Sequence, residues 1–224
     1  MFKIGHRGAA GYAPENTLAS FQKALDLKVD MIELDVYQCH SEELVVMHDD
    51  KVDRTTNGHG YVWEKTLKEL KKLEAVAGEK IPTLRQVLDL IDKKVPVNIE
   101  LKEENTAQSV AQIINQYKNK GWSDEDFIIS SFNHIELQKI KKLQPKIKIG
   151  ALLCGMPADY ATLAEKMGTY SINPNLEFIN QEFVDDAHAR GLKIFVWTVN
   201  DKDDIERMKN LGVDGLFSNY PDRF

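Results

Sequence analysis

The chain has 224 residues, 29 basic against 35 acidic side chains, and 42% hydrophobic residues, a length that fits a single α/β domain better than two. The net charge of −6, with no basic block, argues against nucleic acid or an anionic membrane surface as main partner, and no run of about 18 apolar residues suggests a membrane span. Cys39 and Cys154 stand in no C-x-x-C arrangement, which excludes a disulfide framework or a thiolate zinc site. The opening MFKIGHRG leaves no room for the apolar stretch of a signal peptide. A cytoplasmic protein with no stable membrane insertion is expected.

Short β-branched runs alternate with segments of helical period, the pattern of βα units on a parallel sheet. The strands are expected at Phe2 to His6, Met31 to Tyr37, Val95 to Leu101, Phe127 to Ser131, Ile147 to Leu153, Tyr170 to Asn173, Lys193 to Val199 and Gly215 to Phe217. Several are almost wholly apolar, as strands covered on both faces are. Leu84, Val87, Leu88 and Ile91 follow a helical period behind Thr83 as N-cap, and Val110, Ile113, Ile114 and Tyr117 repeat it behind Thr106. Later helices are expected at Ile135 to Leu143, Gln181 to Arg190 and Asp201 to Leu211, with Gly191 and Gly212 as stops.

From about Glu42 to Ile81 the rhythm breaks. LVVMHDD is followed by the turn-rich RTTNGHGYVW and a lysine-rich helix, TLKELKKLEAV. This reads as an insertion in the second βα unit, within one domain spanning residues 1–224. Eight units in this length predict a closed TIM (β/α)8 barrel, with an open doubly wound sheet as alternative. In a barrel, functional side chains collect at the C-terminal strand ends.

Polar residues fall at those ends. Glu33 and Asp35, at i and i+2 in MIELDVY, project from one face of a strand, with Ile32, Leu34 and Val36 on the other. Side by side in a barrel mouth they require a proton or a cation between them; on an edge strand they would simply face water. Glu100 at the next strand end offers a third carboxylate. An all-oxygen set suits Mg²⁺ or Ca²⁺ better than zinc. His40, His59, His134 and His188 lie in loops or on helix surfaces, whereas His6 and His48 each follow an apolar run and are candidates for a general acid and base at a cavity there, or are hydrogen-bonded structural histidines. Arg7 and Lys102 add positive charge for an anionic substrate such as a phosphate, or serve only to pair with these acids. Phe132 and Trp197 are candidates for the pocket wall, or ordinary core aromatics.

The ordered set HRGAAGYAPENT, IELDV, VVMHDD with RTTNG, NIELK, VWTVN and GVDGLFSNYPD resembles the glycerophosphodiester phosphodiesterases along essentially the whole chain. The resemblance implies a TIM barrel like that of the phosphatidylinositol-specific phospholipases C, with an insertion after the second strand. It implies a metal-dependent hydrolase of small glycerophosphodiesters, giving glycerol 3-phosphate and an alcohol. His6 and His48 then match the acid–base pair, and Glu33, Asp35 and Glu100 the metal ligands. Arg7 and Lys102 match phosphate contacts, Trp197 the substrate-pocket tryptophan, and Glu15 and Asn16 supporting positions. Where many members carry Thr-Asp, this chain has Ser218-Asn219, a change expected to touch only the pocket's edge.

Three other readings compete. A lysophospholipase D acting on lysophospholipids would show an apolar groove or membrane-facing patch near the mouth. An aldolase-type barrel would use Lys102 as a Schiff-base nucleophile, but Glu100 two residues away favours the charged ammonium. A catalytically dead binding module would be expected to have lost His6 or His48.

Overall fold

In the computed structural model, which describes residues 1–224, eight parallel strands close into a TIM barrel. They are β1 (Phe2–Gly5), β2 (Met31–Gln38), β4 (Val97–Leu101), β5 (Phe127–Ser131), β6 (Lys148–Leu153), β7 (Ser171–Pro174), β8 (Lys193–Val196) and β9 (Gly215–Ser218). The ninth strand, β3 (Leu44–Val46), lies antiparallel on β2 beyond the closed ring. Closure follows from β1 pairing with both β2 and β9. The open-sheet alternative is thereby excluded.

Seven outer helices cover the strands: α1 (Leu18–Asp26), α3 (Leu84–Ile91), α4 (Thr106–Lys118), α5 (His134–Leu143), α6 (Thr162–Lys166), α7 (Gln181–Ala189) and α8 (Lys202–Leu211). The α3 face of Leu84, Val87, Leu88 and Ile91 is fully buried, and each such side chain contributes about 1.5–3 kcal/mol of burial. Thr83 caps α3 through a reciprocal box with Gln86. Thr106, expected as a cap, is instead the first residue of α4; Asn105 precedes it in the left-handed conformation, and the Thr106 hydroxyl donates to the Glu103 carbonyl.

Alternation along β2 separates two environments. Ile32, Leu34 and Val36 point outward into the apolar layer under the helices, while Glu33 and Asp35 point inward. The barrel's inner plug is small: Ile4, Met31, Ile128, Phe195 and Phe217. Charged groups therefore sit directly above an apolar floor.

Residues 42–81 form the excursion expected after β2. Tyr37, Val45, Met47, Val52, Val62, Leu70 and Ile81 give it a buried cluster of its own. The lysine-rich helix is shorter than the sequence suggests: α2 covers only Leu67–Leu70, and a 3-10 turn follows at Val76–Gly78. Left-handed backbone at Ala77 and Gly78 ends any continuation. No helix is long and apolar enough to cross a membrane.

Candidate active site

The loop after β1 sets the first functional side chains. Gly8 has φ +87, and a Cβ there would lie 2.4 Å from Ser20 Oγ and 2.6 Å from the Ser20 carbonyl carbon. Only glycine lets α1 approach this closely. Ser20 then holds the loop, donating from Oγ to the Arg7 carbonyl at 2.8 Å and accepting from the Ala9 N–H at 2.9 Å. Arg7 itself adopts a left-handed backbone, φ 53, an uncommon state for a non-glycine residue. The conformation aims its N–H at Glu33 Oε2, 2.8 Å away.

Strand register brings the acids together. Asp35 is level with Glu100 across β2 and β4, and Glu33 is level with Asn98. One oxygen from each of Glu33, Asp35 and Glu100 lies within 4.8 Å of the others. Burial, then the charges of Asp35 and Glu100, push the Glu33 carboxyl well above its usual range. Burial and Asp35 raise Glu100 to about 7 against the opposing pull of Lys102.

Glu33 Oε1 and Asp35 Oδ1 are buried without a hydrogen-bond partner. Buried carboxylate oxygens that lack a hydrogen bond are costly unless a cation satisfies them. The donor set, oxygen only, fits a hard divalent ion. The three residues present thus suit the metal that the sequence suggests.

Two cations border the cluster. Lys102 Nζ bonds Glu100 Oε1 at 2.7 Å and lies 3.4 Å from Asp35 Oδ1; although burial opposes it, Asp35 and Glu100 keep the ammonium charged. This environment excludes the lowered pKa that a Schiff-base lysine needs. Arg7 pairs with Glu15 at 2.8 Å and comes within 3.5 Å of Asp35 through Nε, which has no hydrogen-bond partner. Asn16, buried, donates to Asp35 Oδ2 at 2.8 Å.

The histidines reach the mouth by different routes. His6 follows β1; His48 follows β3, which turns back over the end of β2, with the Met47 N–H on the Asp35 carbonyl at 3.1 Å. Both line one cavity of about 90 Å³ with Arg7, Glu33, Glu100 and Lys102. Their Nδ1 partners differ in charge. His6 Nδ1 meets the neutral Asn219 Oδ1 at 2.7 Å, and His48 Nδ1 meets the Asp49 carboxylate at 2.6 Å. Burial and the adjacent Arg7 charge lower His6 to about 4. Arg54 hydrogen bonds, the largest influence, hold Asp49 at about 2.

Phe132 and Trp197 wall one side of the cavity as an edge-to-face pair, with ring centroids 5.4 Å apart, and Trp197 Nε1 donates to the Asn173 carbonyl at 2.8 Å. Every site residue expected from the sequence lines this cavity or belongs to the carboxylate cluster beside it. Neither His134, which bonds the Leu152 carbonyl, nor His188, which bonds Asp214, is among the residues that line it.

Sequence reasoning missed Asn98, Ser130, Asp49 and Arg54. Asn98 stands two residues before Glu100 on the same strand face, and its amide donates to Ser130 Oγ at 3.0 Å; the alternation that exposed Glu33 and Asp35 could have found it. Asp49 and Arg54 lie in an irregular loop with no periodicity to read. Asn219 was expected at the pocket's edge; its side chain instead contacts His6.

Comparison with known proteins places this geometry. Residues 6–223 match the model of the glycerophosphoryl diester phosphodiesterase family. A glycerophosphodiester phosphodiesterase of Caldanaerobacter subterraneus is 43% identical, with 98% of this chain and 94% of that protein aligned. One from Bacillus subtilis is 36% identical over 100% of this chain and 85% of its own length. Among solved structures, an Oleispira antarctica phosphodiesterase in complex with the product sn-glycerol-3-phosphate superposes with a TM-score of 0.91 at 32% identity, covering 98% and 93% of the two chains.

Proposed function

The chain belongs to the glycerophosphoryl diester phosphodiesterase family, and from that premise we propose that it hydrolyses water-soluble glycerophosphodiesters to glycerol 3-phosphate and a free alcohol. The observation that carries the reading is the pair of histidines with unlike partners facing one buried carboxylate cluster. His6, neutral at physiological pH because burial and Arg7 disfavour its charge, acts as the general base and takes the proton of the attacking hydroxyl. His48 has the Asp49 carboxylate against Nδ1 as counter-charge when the ring carries its second proton. It acts as the general acid and protonates the departing alkoxide.

Glu33, Asp35 and Glu100 would hold a divalent cation, Mg²⁺ or Ca²⁺, which when bound supplies positive charge against the phosphoryl oxygens. Arg7 offers its unpartnered Nε–H, and Lys102 its ammonium, to the same oxygens, where charge builds in the transition state. Phe132 and Trp197, which line the cavity, would pack against the glyceryl unit. The excursion beside the mouth is rich in lysine and turn residues, which suits a diester taken from water over a lysophospholipid taken from a membrane surface. An exposed free thiol at Cys154 suits a reducing compartment, and we place the reaction in the cytoplasm.

The test is release of glycerol 3-phosphate from glycerophosphocholine by purified protein, in EDTA and then with Mg²⁺ or Ca²⁺ restored. Release that stops in EDTA and returns with one ion is expected. Activity indifferent to EDTA would remove the carboxylate–cation assignment, and no release with any ion would refute the diesterase reading.

A further inference from the structure

A second cavity, of about 450 Å³, adjoins the first and shares His48 with it as a common wall. One side is the loop after β1, residues 10–17; the other is the excursion, residues 46–48, 54–56 and 75–81. Ala13, Pro14, Met47, Val76, Ala77 and Ile81 supply much of the lining. Val76 is 64% exposed, which puts it at the outer edge.

The charges on this wall are already matched. Glu15 accepts from Arg7 at 2.8 Å and from both terminal nitrogens of Arg54 at 2.9 and 2.7 Å. Arg54 returns to Asp49 through Nε at 2.6 Å, and Lys80 reaches Glu74 at 3.3 Å. Against burial, Arg54 and Arg7 hold Glu15 down at about 2, so it stays an ion within this chain of pairs. The Tyr12 hydroxyl donates to Asp222 and the Asn16 amide to Asp35. Apart from the His48 ring and the uncharged Thr55 hydroxyl, apolar surface is what remains to meet a ligand.

We propose that this cavity is the subsite for the departing alcohol, and that it selects an uncharged, apolar alcohol over a cationic one. The proposal rests on the reaction read above. The phosphoryl group lies among Arg7, Lys102 and the carboxylates on one side of His48. The ester oxygen that His48 protonates therefore carries its carbon chain to the other side, into the larger cavity. In the overall hydrolysis the bond from phosphorus to that oxygen breaks and its electron pair stays with the oxygen, which takes the His48 proton. Water supplies the hydroxyl that phosphorus gains, and its other proton restores the acid.

A choline or ethanolamine group entering this space meets no uncommitted carboxylate. Tyr12 is the one aromatic on the wall, so no cage forms around a quaternary ammonium. An alkyl chain, by contrast, buries its methylenes against Met47, Val76 and Ile81 and draws on the hydrophobic effect at each carbon. A lysophospholipid carries its chain on the glyceryl unit, on the other side of the phosphoryl group from this cavity.

The experiment compares kcat/KM for glycerol 3-phosphate release from glycerophosphoethanol, -butanol, -hexanol and -octanol with that for glycerophosphocholine. A rise of up to about fourfold per methylene is expected over the first carbons, followed by a plateau, with the butyl and longer diesters ahead of the choline diester by about tenfold or more. In Val76→Asp the ratio of octyl to ethyl kcat/KM should fall about fivefold or more. Diester turnover with no dependence on chain length, or with choline preferred, would overturn the subsite while leaving the reaction standing. Preference for an acylated glycerol would move the cavity to the glyceryl side and overturn it too, and no release from any diester would remove the reaction and the subsite together.

Discussion

At the scale of single residues, the site's asymmetry comes from what each histidine ring rests on. Asn219 Oδ1 accepts from His6 Nδ1, which leaves Nε2 free as a base. Asn219 is anchored in turn, its N–H on Asn200 Oδ1 at 2.9 Å and its carbonyl accepting from the Gly11 N–H at 2.9 Å. Because the partner is neutral, burial and Arg7 set the ring's behaviour, and His6 titrates at about 4. Asn219→Asp puts a carboxylate on Nδ1, which favours the imidazolium. The base is then lost to protonation at higher pH, so the acidic limb of kcat/KM should move upward by about one unit or more. A pH–rate profile decides it: an unmoved limb would show that His6 is not the titrating base. His6→Ala should lower kcat by roughly 10² or more at every pH, a loss that no change in the Asn219 partner reproduces.

At the scale of elements, the strands and the acids on them were legible because physics repeats along them. Strands covered on both faces read as apolar runs, and all eight barrel strands fall where those runs lie. Glu33 and Asp35 interrupt the inward face of β2 at two-residue spacing and Glu100 breaks the apolar run of β4 near its end, so they announced themselves. Elements held by a few tertiary contacts were less legible. The stretch after Thr66 has helical period, yet it buries Leu70 alone among its α2 residues and stops after one turn. Asn219 was visible as a substitution, but its partner lies 213 residues away, beyond any local pattern. The β1–α1 turn is the element on which the site most depends, and Gly8 is its tightest point. Gly8→Ala would have to adopt φ +87 and push into Ser20, at a cost of about 1–3 kcal/mol for the backbone alone. Displacing the Ser20 latch also releases Arg7. A lowered midpoint in urea together with a raised KM is expected, and a wild-type midpoint would show that the turn tolerates the methyl group.

At the scale of the whole molecule, the barrel buries two carboxyls, Glu33 and Glu100, where folding disfavours their charge. Glu33 and Glu100 have folded-state pKa values above the ordinary 4.5, Glu100 at about 7. A carboxyl whose pKa is raised by folding binds its proton more tightly in the folded state. Its contribution to stability is therefore intact below the unfolded value and is lost as pH rises through the folded one. For both groups the loss begins near pH 4.5, and for Glu100 it runs to about 7. His6 opposes them, since its pKa is lowered from 6.5 to about 4 and its share is lost as pH falls through that window. The difference between protein in EDTA and protein with a divalent ion isolates the carboxylates, because an ion that binds only the folded site stabilises it by mass action and must displace their protons to do so. The rise in Tm on adding Mg²⁺ or Ca²⁺ should accordingly be small near pH 4.5 and grow steadily toward pH 7.5. In Glu33→Gln that growth should be blunted. A Tm increment that is flat across this range would mean that the ion binds elsewhere, and that the buried carboxylates are neutralised by protons and by Arg7 and Lys102 alone.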